Sequence, residues 1–289
     1  MREFDLICPD KSGSHMSSTF KSLLFVPGAR PDRFDKAAAS GADTIIIDLE
    51  DAVLPEAKSE ARAAALGWLA HRGNVMAGIR INSPRTADGC ADIAALAASG
   101  LSPDFVMVPK AETGVDMEIV AEALGHGAPL IAVIESGRGL RRAFDIAKQS
   151  PAGVLFGGAD YSASLGADLS DWDAMIVARG TIAGACGAAG VPAYDVPYLD
   201  VSDDMGLDAT TRKAKAMGFA GRACIHPKQV ATVNAVFSPT PAEILDAKAI
   251  IKALEDSQGG AALHNGKLID RPIILAAERT LAKAGEERG

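Results

Sequence analysis

Acidic side chains recur in this sequence at or just after short apolar, β-branched runs: Asp48, Glu50 and Asp51 near 44–49, Glu135 after 130–134, Asp160 after 153–156 and Asp195 after 191–194. Arg80 and Asn82 end the run at 75–81, Lys110 follows 105–108, and His226 follows 221–225. Carboxylates gathered in one cleft repel each other unless a cation neutralises some of them. Their oxygens are hard donors, and no His pair or Cys cluster accompanies them, so the cation they suit is Mg²⁺, with Mn²⁺ as the variant. Glu135 and Asp160 form the best ligand pair. Glycines beside them let a ligand approach the backbone, and Mg²⁺ accepts one or two protein carboxylates before completing its shell with water and substrate. The same two acids also suit helix caps or solvated loops. Glu50 and Asp51 would hold metal-bound water or cap the helix that begins at Pro55. Arg80 is a natural bidentate clamp for a carboxylate or enolate oxygen, or a structural partner of Asp48 or Glu50. His226, followed by Pro227, reads as a turn with a hydrogen-bonded imidazole, and His71, His126 and His264 as surface residues.

Those positions are set by an alternation of short apolar runs with alanine-rich segments of helical period, the pattern of parallel strands joined by helical crossovers. The periodicity predicts strands at 23–26, 44–49, 75–81, 105–108, 130–134, 153–156, 191–194 and 221–225, and helices at 31–40, 55–71, 87–98, 114–124, 138–148, 173–189, 203–217 and 227–236. Eight such units close a (β/α)₈ TIM barrel, in which residues just past the strands converge on one mouth. An open doubly wound sheet is the alternative, because periodicity cannot see closure. Beyond 238 the sequence predicts a helix at 242–255, a Gly-rich loop at 257–266, a short apolar run at 267–269 and a last helix at 272–284. The expected organisation is therefore a barrel over 19–238 and a C-terminal helical lid extension over 239–289. Residues 1–18 are set aside as a vector-derived tag or flexible leader, because Ser12 to Met16 has that character.

At 289 residues the chain has room for one barrel of roughly 250 residues and an appendage. With 48% hydrophobic and 23% charged residues it has ordinary globular composition, which excludes disordered and fibrous classes. A formal charge of −8 disfavours a phosphate backbone as partner, so no nucleic acid is expected. No run approaches the roughly 18 apolar residues of a membrane span, and a cytoplasmic location is expected. Cys8, Cys90, Cys186 and Cys224 lie far apart and read as free or buried thiols. Walker A, GxGxxG, GxSxG and HExxH patterns are absent, and ATP, NAD and acyl-serine mechanisms lose support.

The strand-end residues also form motifs. Ser22 to Gly28 with Lys36 and Ala37, then Asp48-Leu-Glu-Asp-Ala-Val53, Ile79-Arg-Ile-Asn82, Val108-Pro-Lys110, Ile134-Glu135, Gly158-Ala-Asp160 and Cys224-Ile-His-Pro-Lys228 occur in that order. Over 21–284 the sequence resembles the citrate lyase β-subunit group of the HpcH/HpaI aldolase superfamily. The resemblance implies a trimeric (β/α)₈ barrel, or an assembly of trimers, that cleaves or forms citryl-, citramalyl- or malyl-CoA with Mg²⁺, releasing acetyl-CoA and a 2-keto acid. It implies Glu135 and Asp160 as metal ligands, Arg80 as the contact to substrate carboxylate and enolate, and Glu50 as support for metal-bound water. The stretch Asn265 to Pro272 is similar to a lid motif whose aspartate serves the neighbouring subunit's site as acid or base, and Asp270 is the matching position. Arg33 and Lys36 would then meet the CoA phosphates, although exposed cations on a helix are commonly just solvated. Lys21 replaces the usual Arg, and Ala159-Asp-Tyr161 replaces the commoner Glu-Asp-Leu, which leaves substrate choice open. Two alternatives remain: a class II-type aldolase acting on free hydroxy-keto acids, and a lyase-complex subunit acting on acyl-carrier-protein thioesters.

Overall fold

The computed structural model describes residues 19–256 and 263–285. The leader expected over 1–18 and most of the loop expected over 257–266 lie outside the described residues. Parallel strands β1 (Ser22–Pro27), β2 (Thr44–Asp48), β3 (Ala77–Arg80), β4 (Val106–Val108), β5 (Leu130–Ile134), β6 (Gly153–Phe156), β7 (Ala193–Asp195) and β8 (Gly221–Cys224) each pair with the next, and β8 returns to β1. The open-sheet alternative is thereby excluded.

The strands are apolar on both faces because both faces are covered. Along β2, Ile46 points into the barrel with Leu23, Phe105, Met107, Ile131, Val133, Leu155 and Tyr194. Its neighbours Ile45 and Ile47 point outward under the helices. Each such fully buried side chain contributes roughly 1.5–3 kcal/mol. Layering inside the barrel matches large residues to small ones: a Cβ on Gly78 would lie 2.2 Å from the Phe105 ring, so only glycine leaves room for that ring. The Phe20 ring lies tilted against Phe105 at 5.5 Å and stacks on Tyr194 at 6.5 Å.

The covering helices are α1 (Phe34–Ala38), α2 (Lys58–Leu69), α3 (Ala87–Ser99), α4 (Gly114–Ala123), α5 (Gly137–Arg141), α6 (Ala143–Lys148), α7 (Gly158–Leu165), α8 (Trp172–Ala189), α9 (Asp204–Ala216) and α10 (Pro227–Phe237). Local chemistry starts them: Thr113 and Asp116 form a capping box on α4, and Asp171 caps α8 by accepting from the backbone N–H of Asp173 and Ala174. Three details differ from expectation. The helix expected at 138–148 breaks into α5 and α6 at Arg142, whose φ of −115° and ψ of 22° leave the helical region. Helix α7 lies in a stretch after β6 for which no helix was expected; two glycines at its start depress helix propensity and conceal it. Strand β7 begins two residues later than 191, after Pro192, which has no N–H to donate but whose carbonyl still accepts from the Val154 N–H at 3.0 Å.

After α10 come α11 (Pro241–Asp256), a hairpin of β9 (Leu263–His264) and β10 (Lys267–Leu268), and α12 (Arg271–Lys283). The hairpin was not expected; its turn uses Asn265 and Gly266, both at positive φ. Ala247, Ile250, Ile251, Ile269, Ala277 and Leu281 form a small core belonging to this extension, separate from the barrel's two clusters.

Candidate active site

Register assembles the site. Asp48, the last residue of β2, lies beside Arg80, the last residue of β3. Its carboxylate takes the guanidinium bidentately, with Nε to Oδ1 at 2.6 Å and Nη2 to Oδ2 at 2.7 Å. Arg80 also stacks over the Phe25 ring at 4.9 Å, and its Nη1 lies 3.0 Å from Glu50 Oε2. Burial would depress its basicity, but Asp48, Glu50 and Glu135 outweigh that and hold it charged. The structural reading of Arg80 as partner of Asp48 and Glu50 is therefore correct, and it leaves the side chain on the cavity wall. Glu50 Oε2 accepts no hydrogen bond, and burial keeps the Glu50 carboxyl above its ordinary range despite Arg80 and Lys110.

Lys110, just past β4, sits at a φ of 53°, in the left-handed region that few side chains adopt. That conformation turns its backbone N–H onto Glu135 Oε1 at 2.6 Å. Its ammonium meets Glu50 Oε1 and stands 3.4 Å from Asp51 Oδ1 and 3.9 Å from Asp160 Oδ2. The ammonium is thus the cation standing among these acids, a function not recognised from the sequence. The signal was there: a lysine at a strand end facing a mouth of carboxylates.

Glu135 follows β5, and the β5–β6 register sets Ile134 beside Phe156, so Gly157 comes against Glu135. A Cβ on Gly157 would lie 2.4 Å from Glu135 Cβ and 2.7 Å from Oε2, so glycine is required for this carboxylate to fit. Burial, reinforced by Glu50 and Asp160, pushes the Glu135 carboxyl up to about 8, against the pull of Lys110. Asp160 projects from the first turn of α7 and is partly exposed.

Arg80, Glu135, Gly157, Asp160 and Asp51 line one cavity of about 420 Å³, with Glu50 immediately behind Arg80. Among the described residues, no group of three or more His, Cys, Asp or Glu side chains forms a metal cage. The donor set nevertheless fits Mg²⁺: a buried carboxylate short of positive partners, a second acid that raises its proton affinity, and open space for water and substrate.

Other expected residues lie elsewhere. Asp195 was placed at the mouth, but it is fully buried beside Arg222 in the β7–β8 register and bonds Arg179 at 2.9 Å, so it belongs to the barrel wall. His226 caps α10, its Nδ1 accepting from the Lys228 N–H at 3.2 Å, as the turn reading expects. Asp270 caps α12, accepting from the Ile273 N–H at 3.3 Å, and does not line the 420 Å³ cavity of its own chain. Arg33 and Lys36 are exposed and do not line it either.

The family model described as HpcH/HpaI aldolase/citrate lyase matches residues 21–227. A (3S)-malyl-CoA thioesterase of Cereibacter sphaeroides is 36% identical over 281 residues, covering 94% of this chain and 96% of that protein. An L-malyl-CoA/beta-methylmalyl-CoA lyase of the same species is 33% identical over 300 residues, covering 90% and 93%. Among solved structures, the Mycobacterium tuberculosis protein CitE in complex with magnesium, acetoacetate and coenzyme A superimposes with a TM-score of 0.80 at 34% identity, covering 94% of this chain and 100% of that one.

Proposed function

The chain belongs to the HpcH/HpaI aldolase/citrate lyase family, and from that premise we propose that it is a Mg²⁺-dependent carbon–carbon lyase of 3-hydroxyacyl-CoA thioesters such as malyl-, citramalyl- or citryl-CoA. The observation that carries the reading is the pairing of buried Glu135 with Asp160 across a cavity that also presents Arg80.

Glu135 and Asp160 would hold the ion, which supplies Lewis acidity toward the oxygens of a 2-keto or 2-hydroxy acid. Arg80 faces the developing enolate of the thioester fragment. Asp48 fixes its guanidinium from behind, so donors are oriented before charge appears, an effect worth roughly 3–4 kcal/mol in comparable oxyanion sites. The substrate hydroxyl gives up its proton as its oxygen becomes the keto group. The bond between the two fragments breaks, its electron pair passes into the thioester fragment, and an acid must deliver a proton in exchange to the enolate carbon. Asp270 is assigned that task from a neighbouring copy, since in its own chain it caps α12. The self-contained core of α11 and α12, with Leu245, Leu263, Leu268 and Leu275 exposed, suits an extension that reaches a second subunit, and we infer a homo-oligomer. Arg33 and Lys36, solvent-facing after β1, are assigned to the CoA phosphates.

The thioesterase among the relatives favours a second reading, hydrolysis of malyl-CoA at the thioester. Product analysis separates the two. The lyase reading expects acetyl-CoA and a keto acid in equal amounts, with activity lost on metal removal. Free CoA with malate, and no keto acid, would establish the hydrolytic reading. Turnover of free hydroxy-keto acids without CoA would point to an aldolase.

A further inference from the structure

A second cavity of about 300 Å³ lies on the other side of Val196, Pro197 and Leu199, which line both spaces. Arg179 of α8 and Arg222 of β8 border it, 3% and 2% exposed. Asp195 is the one carboxylate that reaches both guanidiniums: Arg179 Nε donates to its Oδ1 at 2.9 Å, while Arg222 Nη2 stays 3.8 Å from its Oδ2. Arg222 otherwise donates from Nε to the Val196 carbonyl at 2.9 Å and from Nη1 to the hydroxyls of Thr210 and Thr211 at 2.8 and 2.9 Å. Among the described residues, Arg179 Nη1 and Asp195 Oδ2 have no hydrogen-bond partner, and neither guanidinium donates through Nη2 to the protein.

The arrangement is therefore two buried cations around one anion. Aromatic faces soften it: Trp172 and Phe156 lie 4.2 and 5.4 Å from Arg179, and Tyr198 lies 5.6 Å from Arg222. They supply no acceptor oxygens, and an uncompensated buried charge is strongly unfavourable. We propose that this cavity binds a small carboxylate, whose oxygens take the Nη2 donors that both guanidiniums leave unused and whose apolar body rests against Leu169, Trp172 and Tyr198. Asp168 and Asp200 at the rim are exposed acids engaged by Ser170 and Ser202, and their charge disfavours multiply charged phosphates. Because the wall is shared, occupancy here bears on the shape of the cavity that holds Arg80 and Glu135. The inference does not rest on the lyase reading.

The sequence contains two tryptophans, so Trp68→Phe leaves Trp172 as the only one, a reporter inside the proposed site. Metal-stripped full-length protein on that background is titrated with butyrate and, separately, with inorganic phosphate. A saturable change in Trp172 emission with butyrate is expected, weaker with phosphate. It should weaken about tenfold or more in Arg222→Lys and in Ser170→Leu, an exposed rim change, and persist in Arg80→Lys. Should Arg222→Lys fail to fold by circular dichroism, Ser170→Leu alone decides. No saturable change, tighter binding of phosphate than butyrate, or a signal that survives Ser170→Leu but disappears in Arg80→Lys would overturn the proposal.

Discussion

Glu135 carries a consequence that can be read from its proton alone. Its carboxyl is held up to about 8 in the metal-free fold, against an ordinary value of 4.5 when unfolded. The folded state therefore binds this proton more tightly. Its contribution to stability is fully present below 4.5 and is lost as pH rises through 8, a few kcal/mol in all. Denaturant titrations of metal-free protein should show stability falling over that window, and Glu135→Gln should flatten the fall. Metal binding must displace the same proton, so Mg²⁺ affinity should rise about tenfold per pH unit up to about 8 and then level off, by calorimetry. Lys110 supplies a second expectation. Its ammonium neutralises Glu50, Asp51 and Asp160 in the metal-free protein, so Lys110→Met should lower the metal-free Tm, and added Mg²⁺ should recover more Tm than in the parent chain. At this scale the sequence showed Arg80, Glu135 and Asp160, because strand-end position alone brings them to one mouth. It did not show that Lys110 already occupies the space between the acids, which depends on a left-handed φ. Asp195 was misplaced for a related reason: a strand-end residue can face the wall as readily as the mouth, and only its pairing with Arg179 and Arg222 decides.

Among the elements, β5 and β6 do most of the positioning, since their register brings Gly157 against Glu135. Gly157→Ala would push a methyl into the carboxylate at 2.4–2.7 Å, where the neighbour is a buried strand-end side chain with little freedom. Mg²⁺ affinity and turnover should both fall at least about tenfold while the barrel stays folded, as judged by calorimetry and circular dichroism. Unchanged affinity would show that Glu135 has room to shift. The strands were legible because β-branched runs buried on both faces of a parallel sheet leave a continuous apolar signal. Helix α7 and the β9–β10 hairpin were not legible. The first begins in glycines and the second pairs only two residues per strand, so neither produces a periodic pattern long enough to read.

For the whole molecule, closure of the sheet from β8 to β1 was predicted from eight crossover units and is present. A use for the C-terminal extension is proposed only from resemblance, because α11, α12 and their core hold together without completing the cavity of their own chain. If Asp270 acts in a neighbouring subunit, Asp270→Asn and Glu135→Gln are each inactive, and co-refolded mixtures of the two regain part of the activity because some sites receive both intact groups. Mixtures as inactive as either parent would place Asp270 at the site of its own chain, and an Asp270→Asn chain that keeps its activity would place it outside the reaction. The proposed reaction depends on a divalent ion held between β5 and the start of α7. The most direct measurement is Mn²⁺ paramagnetic resonance titration of the full chain alongside Glu135→Gln and Asp160→Asn. One tight site per chain is expected, lost in the first variant and strongly weakened in the second. Tight binding of Mn²⁺ that is unchanged in both variants would contradict it.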